Sequence, residues 1–267
     1  MIPRDFITEW RASAPWVADR KVEQDLVISR ALVALFSRPT IAESLAFRGG
    51  TALYKLHLRR PRATPRTSIS CRSGLAGSVR RPTRPTRRLA GRATVEAVRG
   101  ARDAERPLRV RGRTPVRLEL KVETNTREHF TVFGLKDHRF EVSARWFSGS
   151  ADVRTYELDE LLGTKLRALH QRKKGRDLFD LGLALQHAGV SAARILEVFA
   201  RYTREDGVRV TRAMFEQNLA MKRLDTVFTA DMTPLLASGQ TWSFEAAYDR
   251  VWRELVSRLP GEPWKGA

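Results

Sequence analysis

The chain has 267 residues, enough for one or two domains with a sizeable hydrophobic core. No apolar run reaches the roughly 20 residues that cross a bilayer, and the first residues lack the apolar stretch of a signal peptide. A cytoplasmic protein with no membrane partner is therefore expected. Its single cysteine, Cys71, excludes an internal disulfide framework and a cysteine-based zinc site.

The net charge of +19 is typical of a nucleic-acid-binding protein, but it is unevenly distributed. Between Arg59 and Arg117 there are 18 arginines, no lysine and three acids, which gives +15. The other 208 residues together have a net charge of only +4. This one segment is compositionally foreign to its flanks.

The N-terminal part predicts helices and a strand. Residues 22–37 place apolar side chains at helical spacing and predict an amphipathic helix that ends before Pro39. A short helix is expected over residues 41–45, and residues 45–58 read as a strand, a Gly-Gly turn and a new helix. Residues 59–116 show no helical or strand period and contain six prolines, so their composition predicts a disordered loop.

Regular patterns return at residue 116. Apolar and charged residues alternate from Val116 to Glu123, which predicts a strand. Two further strands are expected over residues 129–135 and 139–147. From Tyr156 onward the pattern is helical, with helices predicted over residues 158–172, 177–187, 191–203, 210–222 and 243–258. This order predicts an α/β body over residues 1–155 and a helical C-terminal domain over residues 156–267.

The stretch Gly49-Gly50-Thr51 lies where the predicted strand enters a helix. Glycines let a phosphate approach the backbone, and a helix N-terminus favours an anion. The alternative is an ordinary tight turn with a capping threonine. A phosphate-binding turn and a purely structural one both fit these three residues.

Two charged residues occupy unusual positions, and a third is a candidate on an ordinary polar face. Lys165 falls inside the leucine stripe of its predicted helix, so it must either extend to solvent or meet an anion. Asp180 lies among apolar residues one turn after Asp177, which opens the same helix, and an acid there needs a partner such as Lys165 or Arg176. Glu123 is on the polar face of a strand, where it is either solvated or functional.

Four segments together resemble the AbiEii/AbiGii-type nucleotidyltransferase toxins, which include the MenT toxins. They are FRGGTALYKL (47–56), LKVETNTREHF (120–130), TYELDELLGTKLRALHQRKKGRDLFDL (155–181) and LPGEPW (259–264). The resemblance covers most of residues 22–58 and 116–265. It implies an α/β fold, a nucleotidyltransferase-like mixed sheet core with a helical C-terminal region.

The resemblance also implies an activity and a site. The activity would be transfer of a nucleotide from an NTP, with Mg²⁺ as cofactor, to an RNA acceptor, the 3′ end of tRNA in the MenT branch; a cognate antitoxin would be a partner. Gly49, Gly50 and Thr51 would cradle the triphosphate and Lys165 would contact phosphate. The site would be completed by Asp177 or Asp180 as the further catalytic residue, with Glu123 as a metal ligand.

One family feature is missing. Shortly after the glycine turn the family has a string similar to R-Y-S-E-D-I-D-L-V, whose two aspartates share one face of a strand and hold the metal ions. This chain has RATPRTSISC at residues 62–71, with no acid. With suitable codons, the same bases read in a shifted frame encode R-Y-S-E-D-I-D-L-V. We therefore predict that residues 60–112 are an out-of-frame or disordered segment between two compensating insertions or deletions.

These features predict a nucleotidyltransferase toxin that is inactive as written, because its metal-binding aspartate pair is absent. The alternative is a non-catalytic protein that binds RNA through the Arg59–Arg117 segment, or one that only binds an antitoxin.

Overall fold

The structure is a computed structural model that describes residues 2–14, 16–58, 68–73, 120–125, 128–236 and 241–266. Five strands lie in this part of the chain: β1 (Leu45–Arg48), β2 (Ser68–Ser73), β3 (Lys121–Asn125), β4 (Leu135–Ser143) and β5 (Ser148–Tyr156). The N-terminal helices are α1 (Arg4–Trp10), α2 (Asp19–Phe36), α3 (Pro39–Ser44) and α4 (Gly49–Ala52), and α4 continues as a π-helical turn over Leu53–His57. The C-terminal helices are α5 (Leu158–Gln171), α6 (Gly175–Ala184), α7 (Ala192–Glu205), α8 (Arg212–Arg223), α9 (Thr226–Ala230) and α10 (Phe244–Glu254), with short 3₁₀ turns at Thr233–Leu235 and Val256–Arg258.

The strands form one mixed sheet in the order β3-β2-β1-β5-β4. Strand β1 is antiparallel to β2 and parallel to β5, β2 is parallel to β3, and β4 and β5 form an antiparallel pair. Helix α2 packs on this sheet through its apolar side, where the Phe36 ring lies 6.5 Å from the Phe47 ring. The mixed sheet with many helices confirms the predicted fold class.

Strand β2 corrects one prediction. The segment 60–112 was expected to lack structure throughout, but Ser68–Ser73 form an inner strand bonded to β1 on one side and β3 on the other. Cys71 is fully buried there. Two neighbouring strands satisfy the backbone of β2, which outweighs its arginine- and proline-rich flanks. The remaining residues, 60–67 and 74–112, lie outside the described part of the chain.

One further strand prediction was wrong, and one strand was missed. The strand expected over residues 129–135 is an irregular loop up to Gly134, because the amides of Val132 and Phe133 donate to the Glu160 carboxylate instead of to a neighbouring strand. Strand β5 was not foreseen, because its first residues, Ser-Gly-Ser, have no apolar alternation.

The helical half builds a second hydrophobic cluster from residues of α5, α6, α7, α8 and α10. Close helix contacts depend on glycine: a Cβ on Gly163 of α5 would lie 2.4 Å from Val198, and one on Gly182 of α6 would lie 2.9 Å from Ala247. Leu53 and Leu58 join this cluster from the N-terminal half. The helix that begins at Gly49 is thus fixed against the C-terminal helices. In the part of the chain that the structure describes, every helix is too short or too polar to cross a membrane.

Candidate functional site

The turn between β1 and α4 is the first part of the site. Gly49 has a φ of 83°, a left-handed conformation that residues with a side chain rarely adopt. Gly50 and Thr51 follow in the first turn of the helix, and Thr51 is buried. The chain therefore reverses sharply from strand into helix at Gly49, as the sequence predicts.

Lys165 reaches this turn from α5. Its ammonium Nζ lies 3.1 Å from Asp177 Oδ1 and 2.8 Å from Asp180 Oδ2, so the lysine meets anions and does not extend to solvent. A Cβ on Gly50 would lie 3.5 Å from that Nζ and 3.6 Å from Asp180 Oδ2. The structure thus brings together the glycine turn, Lys165 and both aspartates, which lie on three different elements.

The two aspartates have different surroundings. Asp177 has no exposed surface and accepts hydrogen bonds from Arg172 Nε at 2.6 Å and Arg172 Nη2 at 2.8 Å, besides its contact with Lys165. Asp180 accepts a hydrogen bond of 2.7 Å from the Tyr54 hydroxyl. Asp177 therefore fastens the end of α5 to the start of α6, whereas Asp180 lies beside the glycine turn. Arg176, the other partner considered for Asp180, instead lies 3.9 Å from Asp231.

Opposing effects set the pKa values in this cluster. Burial alone would lower the pKa of Lys165, but the attraction of Asp180 and Asp177 outweighs it, so the pKa is raised. Burial alone would raise the pKa of Asp177, but Lys165 and Arg172 hold it below its ordinary value. Burial, and then the nearby Asp180, raise the pKa of Tyr54 well above its ordinary value. At neutral pH Lys165 is a cation and Tyr54 is a hydrogen-bond donor.

Glu123 lies on the same face of the sheet as the last residue of β1. In the strand register, Arg48 pairs with Ser70 and Ser70 pairs with Glu123. Directly paired residues share a face, and neighbouring strands are about 4.8 Å apart, so the backbone of Glu123 is about 10 Å from that of Arg48. Glu123 is half-buried. Within the described ranges no three His, Cys, Asp or Glu side chains cluster closely enough to hold a metal ion.

Sequence reasoning missed several contacts of this site. Tyr54 follows Gly50 by four residues, so helical spacing could have placed it beside the turn. Arg172 belongs to the basic run before α6, where a partner for Asp177 could have been sought. Arg48 comes directly before Gly49, and no local pattern indicates its partner.

A glycine turn at the end of a strand thus faces a buried Lys–Asp cluster from the helical half. The model of the family described as nucleotidyl transferase AbiEii toxin, type IV toxin–antitoxin system, matches residues 75–250. The chain belongs to this family, as its sequence indicates. The matched residues include Glu123, Lys165, Asp177 and Asp180, while the glycine turn precedes them.

One solved structure has a similar fold. MenT4, a nucleotidyltransferase toxin from Mycobacterium tuberculosis H37Rv, is similar with a TM-score of 0.63 and 17% identity, over 97% of this chain and 91% of that chain. JHP933 from Helicobacter pylori is a looser match with a TM-score of 0.40 and 11% identity, over 89% of this chain and 90% of that chain. At such identities the likeness to MenT4 concerns the fold, and the second match is too weak to support an argument. No curated protein sequence matches the chain significantly.

Proposed function

We propose that Gly49, Gly50 and Thr51, together with Lys165, bind the triphosphate of an NTP for transfer of a nucleotide to an RNA acceptor, a tRNA. The supporting observation is the 3.5 Å between Lys165 Nζ and the position of a Gly50 Cβ. An ammonium has three N–H donors, and two of them face Asp177 and Asp180. A phosphate oxygen beside Gly50 would reach the third.

In this proposal the surrounding residues position Lys165. Asp180 contacts its ammonium from the side of the turn, and Asp180 is itself held by a hydrogen bond from the Tyr54 hydroxyl. Asp177 is held by Arg172 and fixes the distance between α5 and α6. Asp180, which lies nearer the turn, is the better candidate for contact with the substrate.

The family generally uses an NTP and a divalent metal ion, and Mg²⁺ is the ion proposed here. The residues present do not fit a two-metal site. Glu123 is the one acid in the row Arg48–Ser70–Glu123, and the sequence contains no acid between Glu43 and Glu96. Because phosphoryl transfer depends on charge stabilisation at the reacting phosphate, the chain as written should transfer little or no nucleotide.

The proposal includes a division of the chain. Residues 1–155 form the nucleotidyltransferase core and residues 156–267 the helical C-terminal domain, in a protein that works in the cytoplasm. Two hydrophobic clusters support a boundary near Tyr156, with Leu161 in the first cluster and Leu53 and Leu58 in the second as the exceptions. Membership of a toxin–antitoxin family implies a cognate antitoxin as partner.

The test is incubation of the purified protein with labelled NTPs, Mg²⁺ and total tRNA. A version with residues 60–112 restored to the alternative frame is assayed beside it, with Lys165→Met in the restored version as control. We expect labelled tRNA only with the restored protein, and the Lys165 variant should lose it. Efficient labelling by the chain as written would contradict its inactivity. No labelling by either protein would contradict the proposed reaction, and the nucleotide sequence of codons 58–118 tests the frame itself.

A further inference from the structure

A carboxylate is held between two arginines next to the glycine turn. Arg48, the last residue of β1, places Nη1 2.5 Å from Glu128 Oε2. Arg167, two residues after Lys165 on α5, contacts the other oxygen, Oε1, through Nη2. All three side chains are 11 to 15% exposed. One anion thus bridges two cations that come from different elements.

Each arginine is also positioned by groups other than Glu128. The Arg48 guanidinium lies 5.7 Å from the centre of the Tyr156 ring, and that of Arg167 lies 5.0 Å from the centre of the Tyr202 ring. Arg167 Nη1 is 3.1 Å from Asp206 Oδ2. Aromatic faces attract guanidinium groups, so both arginines would keep their places without Glu128.

The loop that contributes Glu128 is anchored at a different point. The carboxylate of Glu160 is fully buried and accepts hydrogen bonds from the amides of Val132 and Phe133, each at 3.0 Å, and from the Tyr202 hydroxyl at 2.8 Å. Nearer to Glu128, the Phe130 ring packs on Tyr202 with 4.6 Å between ring centres, and the Glu128 amide donates a hydrogen bond of 3.4 Å to Asn125 Oδ1. The backbone of Glu128 is therefore held, and its carboxylate can leave the arginines by rotation of the side chain alone.

We propose that Arg48 and Arg167 form a phosphate-binding site beside the Gly49 turn, and that Glu128 occupies this site as a competing carboxylate until a phosphate displaces it. Arginine binds carboxylate and phosphate with the same paired donor geometry, so one can replace the other. This inference rests on the proposed function, because the phosphate would belong to the NTP or to the acceptor RNA. The arrangement makes Glu128 an autoinhibitory group of the site.

The charges are consistent with this competition. Burial alone would raise the pKa of Glu128, but Arg48 and Arg167 outweigh it and the pKa is lowered. Glu128 is therefore ionised at neutral pH, and it neutralises cations that an incoming phosphate needs. Removing its charge should strengthen phosphate binding.

The test compares full-length Glu128→Gln with the unchanged protein and with Glu205→Gln. Glu205 pairs with Arg201 on α7 and is half-exposed, so this control makes the same change in net charge elsewhere. Binding of inorganic tripolyphosphate, and separately of a short single-stranded RNA, is measured by calorimetry at fixed ionic strength. We expect Glu128→Gln to bind one of these probes on the order of tenfold more tightly, because a competing ionised acceptor is removed. Glu205→Gln should have little effect, and adding Arg48→Gln to Glu128→Gln should abolish the gain.

The outcomes separate the explanations. A gain for tripolyphosphate assigns the site to the NTP, and a gain for the RNA alone assigns it to the acceptor. The proposal would be overturned if Glu128→Gln increased the affinity for the probes no more than Glu205→Gln does. The contacts of Glu128 with the two arginines would then be purely structural. If Glu128→Gln does not fold, Glu128→Asp, which is shorter by one methylene, should show a smaller gain. The assay measures binding, so failure of nucleotide transfer by the frame-restored protein would contradict the proposed function and not this site.

Discussion

Gly49 and Gly50 are glycines for different physical reasons. Gly49 adopts a φ of 83°, so Gly49→Ala should lower the free energy of unfolding by about 1 kcal/mol or more. A methyl group on Gly50 meets Lys165 Nζ at an ordinary contact distance of 3.5 Å. Gly50→Ala should therefore fold normally and yet bind ATP more weakly, because the methyl fills the space beside the ammonium. Urea denaturation and calorimetry with ATP measure the two effects, and unchanged ATP binding by Gly50→Ala would argue against a phosphate at this turn.

Asp177 and Asp180 should differ in their effect on stability. Asp177→Ala leaves Lys165 and Arg172 without their shared, fully buried acceptor, so it should cost about 3–5 kcal/mol of unfolding free energy. Asp180→Ala should cost less, because Lys165 keeps Asp177 as partner and the Asp180 site lies beside the turn. Urea denaturation of both variants is the measurement. Equal losses of unfolding free energy would mean that Asp180 contributes as much to stability as Asp177 does.

His57 makes stability depend on pH. Burial, followed by repulsion from His138, lowers the pKa of His57 from 6.5 to about 4. Between these values the unfolded chain takes up a proton that the folded His57 does not, so stability is highest above pH 6.5 and falls as pH drops towards 4. The loss should be about 2 kcal/mol, since the side chain is partly exposed.

The measurement is urea denaturation at pH 7 and pH 4.5. His57→Gln should show a smaller loss of unfolding free energy between the two pH values than the unchanged protein. His187→Gln, a substitution at an exposed position, is the matched control and should leave the loss unchanged. An undiminished loss in His57→Gln would contradict the assignment.

At the scale of elements, β2 is where the metal site could be rebuilt. In the backbone register Ser70 pairs with Glu123, and Ser68 lies two residues earlier on the same strand. Ser68→Asp with Ser70→Asp would place two acids beside Glu123, so Mn²⁺ should bind at least about tenfold more tightly than to the unchanged protein. Titration followed by electron paramagnetic resonance measures this. Adding Glu123→Gln should weaken the site again, and an unaltered affinity in that triple variant would exclude Glu123 as a ligand.

The helices of this protein could be predicted from its sequence more accurately than the strands. Five C-terminal helices agree with prediction within a few residues, because apolar periodicity coincides with capping side chains such as Ser191, Thr211 and Ser243. The short helix α9 was missed. Strand β2 was missed because partner strands stabilise it and its own flanks do not. The loop after β3 was predicted as a strand because its apolar residues alternate. Its amides instead donate to the carboxylate of Glu160, a distant residue that the local pattern does not indicate.

At the scale of the whole molecule, the site residues that could be predicted are those that break the pattern of their own helix. Lys165 and Asp180 are charged residues on apolar helix faces, so the sequence alone indicates that each needs a partner of opposite charge. Arg48 and Glu128 are ordinary surface residue types that meet across 80 positions of sequence. Such a pairing depends on tertiary contacts alone, and a single sequence contains no signal of it.

The position of Cys71 makes the inner strand β2 a site where opening of the sheet can be measured. It is the one cysteine of the sequence, it is fully buried between its register partners Phe47 and Thr124, and burial raises its thiol pKa to about 12. A maleimide at pH 7 should therefore modify the native protein only when β2 separates from its neighbours. The rate of modification then measures how often the sheet opens. Because β1 ends in the glycine turn, a nucleotide bound there should slow the modification. Labelling as fast as that of the urea-unfolded chain would mean that the middle of the sheet is already open.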